Sequence, residues 1–326
     1  MLSRVADSLY WMSRYLERAE HTARLLDVNL HQMLDQKQAS GDQRWDRVLA
    51  SLRAPGPSNG SRDAYTMTRY LTFDLVCHES ISACIGLARE NARQVREKIS
   101  SEMWEQLNRL YLQIRSTNIN QVWGSNLHEF FRSVKEGAHL FQGITDATLS
   151  HGEGWQFIQV GRYIERVSAT ASLLDVYFSA YLTTQQDGGS PVSYMEWVSL
   201  LKSCTAFEAY CKVYTAEMKP EAIAEFLLLN NEFPRSIRFC TDSVQASLQA
   251  IAQTNGARHV GRIERLAGRL RAALDYGQVD EIMRDMHPYL EQIRQQCGEI
   301  HAEIYQVYIA YPVDTAIVVS STQLSS

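Results

Sequence analysis

The sequence predicts an all-α fold, a helical bundle built from a tandem duplication with pseudo-two-fold related halves. Three observations carry this. Apolar residues recur at helical spacing along nearly the whole chain. Pro and Gly are few, 7 and 17 in 326 residues, and long stretches rich in Ala, Leu, Glu, Gln and Arg favour helix. One phrase is also written twice. "RYLERAEHTARLLDV" at 14–28 returns as "RYIERVSATASLLDV" at 162–176, identical at ten of fifteen positions with a constant offset of 148.

The periodicity places helices over 2–34, 43–53, 64–71, 78–98, 101–117, 125–142, 152–183, 193–215, 221–229, 233–253, 256–275, 278–286 and 288–310. "QKQASGDQ" (36–43), "APGPSNGSR" (54–62) and "TTQQDGGSPVS" (183–193) are rich in turn formers and read as loops. Ser150 with Glu153 three residues later fits a capping box that opens the second long helix. "VVSSTQLSS" ends the chain as a loose tail.

The repetition extends beyond the first phrase. Ser80, Ile81 and Cys84 in "YLTFDLVCHESISAC" (70–84) match Ser236, Ile237 and Cys240 in "FLLLNNEFPRSIRFC" (226–240) at an offset of 156. "LHEFFRSV" (127–134) has a fainter echo in "MHPYLEQI" (286–293) at 159. A growing offset is what small insertions produce. The expected organisation is a first half at 1–149, a second at 150–312 that shares its core, and a tail at 313–326.

Composition narrows the function classes. A net charge of −5 argues against a nucleic-acid binder that relies on bulk positive charge. Basic residues are 26 Arg and 6 Lys, which make up the total of 32. Arg offers a planar fork suited to carboxylate and phosphate, although a GC-rich genome also enriches it. No apolar run approaches the roughly 20 residues of a membrane span, and the N-terminus is charged where a signal peptide needs an apolar core. The six Cys form no CxxC pair and read as reduced core thiols of a cytoplasmic protein.

On a helical wheel, Arg14, Tyr15, Glu17, Arg18, Thr22, Leu25, Leu26 and Val28, all identical between the copies, fall within one half of the circle. Most changed positions, Leu16, Ala19, Glu20 and Arg24, fall outside it, while His21 falls inside. The half that carries Leu25, Leu26 and Val28 therefore also carries Arg14, Glu17 and Arg18. Charges on a core-facing stripe need partners. Glu17 can reach Arg14 and His21 on its own helix, which leaves Arg18 short, and the deficit recurs at Arg166. Two resolutions are open. The repeated helices can pack together and exchange partners, Glu17 with Arg166 and Glu165 with Arg18. Alternatively the leftover guanidinium groups face a cleft and bind an anion.

Other motifs weaken on inspection. A di-iron bundle wants Glu-x-x-His on two helices, and neither half has it, so no metal is expected. "SHGEGWQF" (150–157) lacks the Lys-Ser/Thr of a phosphate cradle, and Glu153 would repel phosphate. "ARENARQVREKI" (88–99) mixes Arg with Glu90 and Glu97 and reads as a solvated face. The scattered His and the missing Gly-x-Ser-x-Gly give no triad, and nothing in the sequence calls for a cofactor.

"LSRVADSLYWMSRYLERAEHTARLLDV", "ARENARQVREKISSEMWEQLN", "HLFQGITDATLSHGEGWQFIQVGRYIER" and "EFPRSIRF" together resemble the bacterial Alpha-E domain family, collinearly from residue 1 to about 312. That family is mostly helical and of unknown function. The resemblance implies a genomic setting beside, or fused to, a circularly permuted ATP-grasp protein, often with a transglutaminase-like protease nearby. ATP-grasp enzymes activate carboxylates for amide-bond formation. The chain would be the helical accessory subunit, holding the ligase or presenting its substrate. The alternative is an enzyme in its own right, with Glu17 or Glu165 as general base and the Arg residues clamping a carboxylate or phosphate. The candidate anion- or partner-binding residues are Arg14, Glu17, Arg18 and His21 in the first copy, and Arg162, Glu165 and Arg166 in the second. Asp146, His151, Glu153 and Trp155, between the copies, are secondary candidates. "RVSATASLLDV" (166–176) departs from the family pattern, which leads one to expect Ala and Arg near 167 and 172. That departure points to the first copy as the functional one.

Overall fold

The structure, a computed structural model, describes residues 1–35, 41–124, 126–186, 193–255 and 261–309. They form α1 (Ser3–Asp35), α2 (Gly41–Leu52), α3 (Ala64–Phe73), α4 (Ile81–Gln94), α5 (Ser101–Arg115), α6 (Ile119–Val122), α7 (Leu127–Thr148) and α8 (Glu153–Gln186). After these come α9 (Tyr194–Ser203), α10 (Phe207–Tyr214), α11 (Pro220–Leu229), α12 (Ile237–Asn255), α13 (Gly261–Asp275), α14 (Val279–Arg284) and α15 (Met286–Ile304), with a π-helical turn at Tyr305–Ile309. No strand occurs among the described residues, and none of their helices is long and apolar enough to cross a membrane. The expected tail at 313–326 lies outside the described residues.

Local chemistry sets the helix starts. Asp63, Ser80, Ser100 and Ser193 each accept a backbone N–H with the side chain at the head of α3, α4, α5 and α9, which satisfies an otherwise orphaned donor. The helix predicted over 193–215 is broken instead. Thr205 takes a left-handed conformation at φ 54°, and the N–H groups of Thr205 and Ala206 cap the Lys202 and Leu201 carbonyls at 3.0 and 2.7 Å. No Gly or Pro marks that break. The expected capping box before α8 also changes form. Glu153 is the first residue of the helix rather than the third, and its carboxylate meets the N-terminal ammonium of Met1 at 2.8 Å.

Helices α1 and α8 pack directly on each other. Their approach is so close that a Cβ at Gly161 would lie 2.3 Å from both the Ser13 hydroxyl and the Tyr10 carbonyl oxygen. Positions 13 and 161 are themselves separated by the repeat offset of 148. On the outer sides α1 carries α4 and α7, while α8 carries α12 and α15. Buried apolar side chains from Val5 to Ile304 form one continuous cluster.

The sequence offsets connect positions that make like contacts. The Thr22 hydroxyl donates to the Glu79 carbonyl at 3.0 Å, and Thr170 to the Arg235 carbonyl at 3.1 Å. Cys84 and Cys240 each donate to the carbonyl six residues earlier, at 3.2 and 3.4 Å. Asp27 holds His128 at 2.7 Å and Lys135 at 2.6 Å, and Asp175 holds His287 at 2.7 Å and Arg294 at 2.9 Å.

One expectation about α1 is corrected. Leu16, Ala19, Glu20 and Arg24, assigned to the outer half of the wheel, are buried, whereas Arg14, Tyr15, Arg18 and Val28 of the inner half are only partly buried. With α4, α7 and α8 packed around it, α1 is a central helix without a broad solvent face at this level.

Candidate functional site

The charged residues of the repeated phrase divide into two clusters across the α1–α8 crossing. On one side Glu17 is fully enclosed. Arg166 from α8 grips it with Nε at 2.7 Å and Nη2 at 2.8 Å. Arg235, from the segment leading into α12, adds Nη1 at 3.2 Å, and the Gln142 amide donates at 3.2 Å. Glu20 lies alongside, bound by Arg235 Nη2 at 2.7 Å and by Arg24 one turn away. Burial alone would raise both carboxyls, but the surrounding guanidinium groups outweigh it and hold Glu17 and Glu20 below the usual range.

On the other side Glu165 takes Arg14 Nε at 2.8 Å and Arg18 Nε at 2.7 Å. Burial again opposes ionisation, and Arg14 and Arg18 overcome it, bringing the Glu165 pKa down to about 2. Here the cluster is open, because Arg14, Arg18 and Glu165 line a cavity of about 310 Å³. His21, Glu79, Arg294 and His301 line it too, with the thiol of Cys297. Arg18 uses Nε alone on Glu165, and its terminal nitrogens have no hydrogen-bond partner among the described residues. The His21 ring is buried, and its Nε2 has no partner. Burial, reinforced by nearby Arg235, pushes the His21 pKa down to about 4, so the ring is neutral at pH 7. Burial pushes the Cys297 thiol up to about 12, which makes it a poor nucleophile.

The reciprocal exchange considered from sequence, Glu17 with Arg166 and Glu165 with Arg18, is therefore the pairing found, and an open cavity stands beside one of the two pairs. The intrahelical partners considered for Glu17 are not used: Arg14 turns to Glu165, and Gln142, Arg166 and Arg235 surround Glu17. A family profile described as "a predicted alpha-helical domain with a conserved ER motif" matches residues 1–309. The chain belongs to the Alpha-E family. Glu-Arg occurs at 17–18, 165–166 and 264–265. For the first two the geometry supplies a reason for the dipeptide. Neighbours on a helix point about 100° apart, so Glu17 can face Arg166 while Arg18 faces Glu165.

Mycobacterial relatives carry only the description of uncharacterized proteins. One protein of Mycobacterium bovis and two of Mycobacterium tuberculosis are each 24% identical over 343 residues, covering 99% of this chain. The chain spans 37% of the length of each of these relatives. No solved structure matches the chain.

The remaining candidates from sequence fall elsewhere. Arg162 donates to the Tyr163 hydroxyl at 3.2 Å and to Gln159, stacks over the Tyr163 ring, and makes no ion pair among the described residues. Arg235 stands beside Glu17 instead. Asp146, His151 and Trp155 come together at the α7–α8 turn: Trp155 Nε1 donates to the Asp146 carboxylate at 3.1 Å, and the His151 ring stacks on Trp155 at 4.3 Å. Neither they nor Glu153 line the cavity.

Sequence reasoning missed Glu20, Arg24, Arg235, Glu79, Arg294 and His301. Glu20, Arg24, His301 and Arg294 look like ordinary polar helix positions. Arg235 gave no usable signal because the repeat places Glu79 opposite it. A separate group, Asp27, His31 and His128, brings three possible metal-ligand atoms within 4.8 Å of one another. Its Asp–His pair recurs at Asp175 and His287, where Ser179 takes the position of His31.

Proposed function

We propose that this Alpha-E chain is the helical accessory subunit of an ATP-grasp-associated amide-ligating system, and that it presents a carboxylate-bearing substrate to the ligase. The observation that carries the reading is the cavity beside Glu165. It is lined by Arg14, Arg18 and Arg294, and the Arg18 fork is left unpaired at its tip. Such a fork suits a carboxylate bidentately.

Presentation fits the electrostatics better than catalysis. Glu17 is enclosed and cannot reach a ligand, and Glu165, with a pKa of about 2, is a weak base near neutrality. The lining thiol is held protonated. The activating chemistry then belongs to the circularly permuted ATP-grasp protein that the family resemblance implies, with a transglutaminase-like protease as a further member of the system. The longer mycobacterial relatives are consistent with this, since most of their length lies outside the stretch they share with this chain.

We also infer that the two halves, 1–149 and 150–312, arose by tandem duplication around a pseudo-two-fold axis near Ser13 and Gly161. The matched contacts at offsets of 148, 156 and 159 support that origin. It explains how one side of the crossing came to be closed while the other stayed open. The free thiols fit a cytoplasmic protein.

The test is coexpression with a circularly permuted ATP-grasp protein from the same genome, followed by affinity purification through either partner. A stoichiometric complex that survives gel filtration is expected. Two well-folded proteins that elute separately at micromolar concentration would refute the accessory role.

A further inference from the structure

The closed side of the crossing specifies what the open side lacks. Beside Glu17 and Arg166, the space is filled by the Glu20 carboxylate and by the guanidinium groups of Arg24 and Arg235, with His139 Nε2 at 3.4 Å from Glu20. At an offset of 148, Ser168 and Ser172 stand where Glu20 and Arg24 would be. At 156, Glu79 stands opposite Arg235, and at 159, Gly298 stands opposite His139. All four of these replacements line the cavity. The open side therefore lacks counterparts of the Glu20 carboxylate and of the Arg24 and Arg235 guanidinium groups, and it carries an acidic group, Glu79, at the position where the closed side has Arg235.

We propose that the cavity binds a free α-amino acid as its zwitterion, with the carboxylate on Arg14 and Arg18 and the ammonium on Glu79. Each half of that ligand replaces a charge that the closed side supplies from its own chain. The unpaired terminal nitrogens of Arg18 offer a two-pronged carboxylate seat. Glu79 makes no ion pair among the described residues, so its carboxylate is available to an ammonium. A purely anionic ligand such as phosphate would face both Glu79 and Glu165 and is disfavoured. The volume, about 310 Å³, lies at the small end of ligand sites. The inference deepens the presenting role proposed above, but its chemistry rests on the cavity and not on the ligase.

The test uses the purified full chain without partner. Thermal-shift measurements with each of the twenty common L-amino acids identify the best ligand. Calorimetry then compares it with its N-acetyl and carboxamide derivatives. Saturable 1:1 binding is expected, at least tenfold weaker for each derivative, since one loses the ammonium and the other the carboxylate. The double variant Ser168→Glu/Ser172→Arg rebuilds the closed side's filling, and it should fold and lose at least tenfold in affinity. Should that variant fail to fold, Glu79→Gln and Arg18→Lys carry the test, each again losing at least tenfold. The proposal is overturned if no amino acid binds, if the N-acetyl derivative binds as tightly as its parent, or if Glu79→Gln binds unchanged. Amino-acid binding without ATP-grasp association would remove the accessory role and leave this inference standing. The converse result would remove this inference alone.

Discussion

Arg166 holds Glu17 with two parallel N–H···O bonds, at 2.7 and 2.8 Å, whereas its counterpart Arg18 holds Glu165 with one. The same dipeptide in the two copies thus serves two ends. One pair is sealed into the crossing of α1 and α8, and the other forms the wall of a cavity.

Arg235 should be among the most sensitive positions in the chain. It neutralises Glu17 and Glu20 together, from 218 and 215 residues away. Arg235→Leu leaves two buried carboxylates short of a partner, at a cost of about 3–5 kcal/mol. Arg53→Ala, at an exposed residue on the cavity lip, should stay within about 0.5 kcal/mol. Urea unfolding of the two variants checks this, and equal midpoints would mean that the Glu17 cluster is solvated.

The α1–α8 crossing depends on Gly161. A methyl group there meets the Ser13 hydroxyl and the Tyr10 carbonyl at 2.3 Å, so the helices must part. Gly161→Ala should cost about 3 kcal/mol, the upper end of overpacking penalties. Gly143→Ala, in α7 with nothing within 4 Å, should be neutral or stabilising by about 0.5 kcal/mol. Thermal melts of both variants decide, and a wild-type melt for Gly161→Ala would contradict the close approach.

How far the sequence revealed this arrangement varies by element. The pairs Glu17–Arg166 and Glu165–Arg18 were legible because two near-identical amphipathic helices carrying buried charge have each other as the natural partners. Arg235 was not, since it arrives from outside the repeated phrase and position 79 carries the opposite charge. The cavity was hidden for a different reason. It is a volume left by small side chains, Ser168 and Ser172, and no residue pattern announces a missing side chain. The departure at 166–176 was its one trace. The break at Thr205 was equally silent, because a left-handed residue there is neither Gly nor Asn.

Acid should weaken the fold in two stages. His21 is neutral with a pKa of about 4 against an ordinary 6.5, so its contribution is present above pH 6.5 and lost as pH falls toward 4. Glu165, at about 2 against 4.5, contributes above pH 4.5 and loses that contribution as pH falls toward 2. Each is worth on the order of 3 kcal/mol. The melting temperature should therefore decline below pH 6.5 and again below 4.5. His21→Gln should flatten the upper decline and spare the lower. An unchanged profile in that variant would show that another group titrates there.

The measurement closest to the central claim is the pair of charge-conserving variants Arg18→Lys and Arg166→Lys, melted side by side and then assayed for the amide-ligating activity of the proposed ATP-grasp system. Lys keeps the charge but loses the fork. At Arg166 the change breaks a bidentate buried contact and a bond to the Pro234 carbonyl, so a loss of about 2 kcal/mol or more is expected, with function retained in the folded fraction. At Arg18 the melt should stay within about 1 kcal/mol of wild type while pathway activity falls. Equal destabilisation of the two variants, with activity intact in Arg18→Lys, would contradict the account and make both copies of the phrase architectural.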